Sequence, residues 1–155
     1  MKKPPSPFRY WRLALLILLL SSAGRSQAQV QVPADTVRTA SGVRYYIHQP
    51  GNGATAKVGD KVTVNYTGFL PNGKLFDSSA TDGRPLRCRV GRGEVIKGWE
   101  EVLQLLPAGS RARVWIPATL AYGVKGARNP DDDNRYIVPP NTDLIFELEM
   151  VKVSK

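Results

Sequence analysis

The chain has 155 residues, with 22 Lys and Arg against 13 Asp and Glu, a formal charge of +9, one cysteine and one histidine. That length suits a single domain; one cysteine excludes an intramolecular disulfide, and one Cys with one His excludes a zinc site of the usual kind. Five of the 22 cations fall in residues 1–28, which leaves 17 bases against 13 acids and a formal +4 in the remainder, so no nucleic-acid partner is expected.

Residues 1–28 read as a signal peptide. Lys2, Lys3, Arg9 and Arg12 form a basic start, Leu13 to Leu20 an unbroken apolar run, and "SSAGRSQA" a small-residue region with a cut after Ala28. The fully apolar run of eight residues is far below the ~20 that a spanning helix needs. Cleavage and export are therefore expected, to a bacterial periplasm first, with secretion or an uncleaved membrane anchor as the other outcomes. Residues 29–40 read as a short polar linker, and 41–155 as the domain.

From Ser41 the chain becomes patterned. "GVRYYIHQPGNG" is a strand closed by a Pro/Gly/Asn turn. In it His48 is a partly exposed strand residue with no nucleophile to pair with. In "KVTVNYTGFLPNGKLF", Val62, Val64 and Tyr66 alternate inward before a hairpin turn at Pro71 to Gly73. "LRCRV" sets Leu86, Cys88 and Val90 against Arg87 and Arg89, which makes Cys88 a buried small hydrophobe. In "GEVIKGWEEVLQLLPAG", Trp99, Val102, Leu103 and Leu106 fall on one helical face, and Pro107 and Gly109 end it.

The next strand, "SRARVWIP", alternates Ala112, Val114 and Ile116 against Arg111, Arg113 and Trp115. Between Tyr122 and Ile137, "YGVKGARNPDDDNRYI" reads as a solvated acidic loop. Its Asp131 to Asn134 run does not match the alternating ligands of a calcium loop. Last, Leu144, Phe146, Leu148 and Met150 alternate against Ile145, Glu147 and Glu149. Four or five half-buried strands with one helix of two to three turns imply an α+β fold. The sheet is antiparallel, with one face wet and the other packed on that helix.

Four segments, "VNYTGFLPNGKLFDSS", "GEVIKGWEEVLQLLPAG", "LAYG" and "IVPPNTDLIFELEMV", occur in order at nearly fixed spacing. Together they resemble the FKBP-type peptidyl-prolyl cis/trans isomerases, over roughly Ser41 to Val153. The resemblance implies a twisted antiparallel sheet wrapped around one short helix, with a pocket between the two. Its catalytic positions would be Asp77, Tyr122, Trp99 and Ile96. Tyr66, Phe76, Leu86, Glu94, Val95, Ile137 and Phe146 would bind substrate.

Trp99 would be the floor for the proline ring. The Ile96 N–H and the Tyr122 hydroxyl would bond substrate carbonyls, with Asp77 near the carbonyl of the rotating bond. Glu94 matches a position that contacts macrolides of the rapamycin type. Three departures stand out. Leu86 replaces a frequent aromatic. Asp82 stands where a basic partner of the Asp77 equivalent is usual, so that pair is lost unless Arg84 substitutes. An insertion precedes Ile137.

Bond rotation breaks nothing, so no cofactor, metal or nucleophile is implied. The partners would be proline-containing, unfolded or partly folded polypeptides and the protein a monomer. A chaperone-like binding module with weak isomerase activity is the alternative. Pattern alone reads Trp99, Tyr66 and Phe146 equally as core, Asp77 as a turn or cap residue, and Tyr122 as a loop tether.

Overall fold

The computed structural model describes residues 33–155; the expected signal peptide and the first linker residues, 29–32, lie outside the described residues. The strands are β1 (Val37–Arg38), β2 (Arg44–Gln49), β3 (Lys61–Phe69), β4 (Leu75–Ser78), β5 (Leu86–Arg89), β6 (Arg111–Ile116), β7 (Ala127–Asn129), β8 (Asp132–Val138) and β9 (Leu144–Ser154). One α-helix, α1 (Lys97–Val102), and two 3₁₀ turns (Ala118–Leu120 and Gly123–Lys125) complete the described part. Seven strands form an antiparallel sheet in the order β1-β2-β6-β9-β3-β4. β5 pairs with Lys61 to Val64 at the start of β3, and β4 with Thr67 to Phe69 at its end.

The alternation read in the sequence sets the core. Val62, Val64, Ala112, Val114, Ile116, Leu144, Phe146, Leu148 and Met150 are all buried, as period-two side chains on one face of a sheet should be. Trp99, Val102, Leu103 and Leu106 join the same cluster. The regular helix stops at Val102, and turns continue it, with the Leu106 N–H still reaching the Val102 carbonyl at 3.2 Å. A helix this short is held by packing. Gly98 permits that packing, because a Cβ there would lie 2.4 Å from Ile116 Cγ2 on β6.

Three features depart from the sequence reading. Val37 and Arg38, in the segment read as linker, pair with Tyr45 and Arg44, so the sheet begins inside that segment. Trp115, read as opposite the core, is buried nonetheless, with the Arg44 guanidinium 5.7 Å from its ring centre. The segment read as a solvated acidic loop is an antiparallel hairpin, β7–β8. The residues that suggested solvent are turn formers. Asn129 Oδ1 accepts the Asp131 N–H and Asp132 Oδ1 accepts the Asn134 N–H, both at 3.0 Å. Arg128 lies 4.7 Å over the Tyr136 ring, a cation–π contact across the hairpin.

Cys88 is 6% exposed. Burial, then the nearby Glu100 and Glu94 carboxylates, push its thiol up to about 11.

Candidate functional site

A cavity of about 200 Å³ opens beside the first turn of α1. Its walls are Tyr66 on β3, Phe76 and Asp77 on β4, Leu86 on β5, Phe146 on β9, and Glu94, Val95, Ile96, Trp99 and Tyr122. Ten of the eleven residues predicted for a site are therefore brought together. Ile137 is the exception: it sits on β8, half-buried against the core, and does not line this cavity.

The floor is aromatic. Trp99 and Phe146 are 3% and 4% exposed. Their rings meet edge to face at 5.2 Å and 81°. Tyr66 meets Trp99 at 5.1 Å, and Phe76 meets Phe146 at 5.7 Å, again edge to face, the favoured arrangement for such pairs. Gly68 makes room for the cluster. A Cβ there would fall 2.7 Å from Phe76 Cζ and 2.8 Å from Phe146 Cε1. The Trp99 Nε1 donor is buried and, among the described residues, has no acceptor. An unpaired buried donor costs stability, so this residue type is held at some expense.

The polar groups converge on Asp77. Its Oδ2 accepts the Tyr66 hydroxyl and its Oδ1 accepts the Ser78 N–H, both at 2.8 Å. Burial, then the hydrogen bond and charge of Asp77, push the Tyr66 hydroxyl above its ordinary value. Burial, then the Asp77 charge, does the same to Tyr122. Both phenols therefore stay protonated donors at neutral pH. Arg84 does not substitute for the usual basic partner: among the described residues no ion pair joins it to Asp77. Tyr66 takes that place, and sequence reasoning had assigned it only to the wall. Tyr66 is itself fixed by "FDSS": its N–H donates to Ser79 Oγ at 3.0 Å, and its carbonyl accepts from Ser78 Oγ and Ser79 Oγ.

The rim is held by Glu100, which the sequence reading passed over. Its carboxylate accepts the Gly91 N–H and, at 2.8 Å, the Gly93 N–H. It thereby ties α1 to the loop that presents Glu94 to Ile96. Glu94 Oε2 accepts the Arg89 N–H at 2.9 Å. Ile96 caps α1 with extended backbone angles, and its carbonyl accepts from Trp99 and Glu100. Among the described residues, the Ile96 N–H has no acceptor, so it is available to a ligand.

Tyr122 is 38% exposed at the cavity mouth. Its carbonyl accepts the Gly126 N–H at 3.2 Å, at the foot of the β7–β8 hairpin. Gly126 has φ +64, and a Cβ there would lie 2.5 Å from the Val138 carbonyl oxygen. The turn carrying Tyr122 is thus closed against the end of β8. Among the described residues no group of three His, Cys, Asp or Glu side chains is placed to hold a metal, and no helix is long and apolar enough to cross a membrane.

An apolar floor with the Tyr122 phenol donor, one carboxylate and a free backbone N–H at its edge can hold a small ring and bond the amides beside it. The family described as FKBP-type peptidyl-prolyl cis-trans isomerase matches residues 52–151. "FK506-binding protein 1" of Saccharomyces cerevisiae is 45% identical over 106 residues, covering 68% of this chain and 87% of the relative. "Outer membrane protein MIP" of Legionella longbeachae is 43% identical over 115 residues, 74% of this chain and 46% of the relative. The crystal structure of a peptidyl-prolyl cis-trans isomerase from Pseudomonas syringae pv. tomato superposes with a TM-score of 0.69 at 34% identity, covering 79% of this chain and 84% of that one.

Proposed function

The chain belongs to the FKBP-type peptidyl-prolyl cis-trans isomerases, and from that premise we propose that the cavity floored by Trp99 accelerates rotation of X–Pro bonds in exported polypeptides. The observation that carries the assignment of the site is the junction of an apolar aromatic floor with the hydrogen-bonded Tyr66–Asp77 pair.

Rotation about an X–Pro bond crosses ~18–20 kcal/mol, because the amide loses its partial double bond. Acceleration requires the site to favour the twisted amide over the planar one. The planar amide is the stronger dipole and the better hydrated, so the walls of Phe76, Trp99 and Phe146 raise its energy by excluding water. The Ile96 N–H and the Tyr122 hydroxyl hold the chain flanking the ring. Asp77, kept in one orientation by Tyr66 and Ser78, faces the carbonyl as it turns and stabilises it electrostatically.

Export rests on the signal-like N-terminus and on a relative whose name places it in an outer membrane; a periplasmic enzyme, monomeric in solution, is the resulting picture. Binding of FK506-type macrolides rests on the name of the yeast relative and on the same cavity. An N-terminus at Gln29 in the exported protein, read by mass spectrometry, would establish cleavage; an intact Met1 would replace it with a tether.

The direct test is refolding of a proline-limited substrate. The chain should accelerate it, and Tyr122→Phe should lower kcat/KM about tenfold, the equivalent of ~1.4 kcal/mol for one transition-state hydrogen bond. Trp99→Phe is the better floor control than Trp99→Ala, because truncating a buried Trp costs about 3–5 kcal/mol of stability. No acceleration by the parent chain would sink the assignment.

A further inference from the structure

The outer face of the sheet carries charge in two unlike halves. In one half Arg111 and Arg113 have carboxylate partners: Arg111 Nη2 lies 2.9 Å from Glu149 and Arg113 Nε 2.5 Å from Glu147. In the other half, strand register sets out two transverse rows, Arg87·Thr63·Lys152 and Arg89·Lys61·Ser154, across β5, β3 and β9. These six residues line a groove of about 480 Å³. Among the described residues none of its four cations has a carboxylate within ion-pair distance. Arg89 is steadied by donating from Nη1 to the Gly59 carbonyl at 2.8 Å.

Guarding an exposed edge explains charges on β5, but not Lys61, which is paired on both sides, with Arg89 on β5 and Ser154 on β9. Lys61 and Arg89 are direct cross-strand partners, and like charges so placed destabilise a sheet. An anionic occupant would relieve that repulsion, and the Thr63 and Ser154 hydroxyls add donors among the cations.

The groove also adjoins the isomerase cavity. Glu94 lines both, and Leu86 in the cavity wall directly precedes Arg87 in the groove. On the isomerase reading above, we infer that the groove is a second contact for the substrate chain, and that the preferred substrates carry Asp or Glu a few residues from the proline. Continuity with the cavity favours a polypeptide over a membrane surface. Crossing the sheet's edge spans about 10 Å, or about three extended residues, so the acidic residue lies about three to six positions from the proline. Glu94 is the one acid in the groove. With its Oε2 on the Arg89 backbone, it leaves three uncompensated positive charges.

The test compares kcat/KM of the full chain for two proline peptides, one with Asp at those positions and one with Asn. The acidic peptide should be preferred by about threefold to tenfold at low salt, the worth of one or two exposed ion pairs, with the preference fading at high salt. The triple variant Lys61→Gln, Arg87→Gln, Lys152→Gln should lose the preference and keep its turnover of the Asn peptide. Equal kcat/KM for both peptides in the parent chain overturns the inference. So does salt-sensitive binding of the chain to phosphatidylglycerol vesicles without peptide discrimination, which would assign the face to lipid. Failure to turn over either peptide would instead overturn the isomerase reading. Fluorescence anisotropy of the labelled Asp peptide then decides the groove separately: binding by the parent and not by the triple variant upholds it, and equal binding by both rejects it.

Discussion

Tyr66 and Gly68, two positions apart on β3, show how the site is made and why part of it was hard to read. The alternation that placed Tyr66 inward with Val62 and Val64 was visible in the sequence, but its hydroxyl's reach to Asp77, eleven residues away, depends on the β3–β4 register. Tyr66→Phe is expected to free the Asp77 carboxylate, lowering kcat/KM severalfold while the urea midpoint moves by no more than about 1 kcal/mol equivalent. Gly68 gave no signal at all, since a glycine inside a strand has many explanations. The three ring atoms within 2.8 Å of its missing Cβ supply one. Gly68→Ala should cost about 1–3 kcal/mol by overpacking and displace the Phe76 or Phe146 ring into the cavity, which chemical denaturation and a crystal structure would reveal.

At the scale of elements, long alternating strands were legible and short ones were not. β6 and β9 declared themselves through five or more residues of period two, whereas β1 has two residues and β7 three, too few to set a period. The hairpin β7–β8 was missed as strand because its turn residues are acidic; Asp131 and Asp133 are exposed, as read, but they cap a paired ladder. Its foot, not its tip, touches the site. Gly126→Ala, at φ +64 and facing the Val138 carbonyl, is expected to shift the Tyr122 turn and lower kcat/KM. In a Tyr122→Phe background the same change should cost little, and a double-mutant cycle measures that coupling. Ile137 fell out of the cavity for a related reason: the insertion ahead of it became β8, which directs it to the core.

For the whole molecule, the paired half of the outer sheet face links stability to pH. Hydrogen bonds from Asn65 and then Arg111 hold the Glu149 carboxyl below the usual carboxylate range. A lowered folded value means the contribution is complete above the unfolded value and is lost as pH falls through the folded one. The urea midpoint should therefore decline between about pH 5 and about pH 3, less steeply for Glu149→Gln than for the parent.

Cys88 supplies a clock for motions of the cavity wall. It pairs with Val62 in the β5–β3 ladder, two residues from Leu86, and is the chain's only thiol. With its acidity near 11, about one thiol in a thousand is ionised at pH 8 while the ladder is closed. Each opening of β5 exposes it and restores ordinary reactivity. Its alkylation rate thus counts the fraction of time that β5 is detached from β3, in an otherwise unmodified protein and without a disulfide to confuse the reading. A ligand that seats against Leu86 would slow the clock by the factor with which it holds β5 in place.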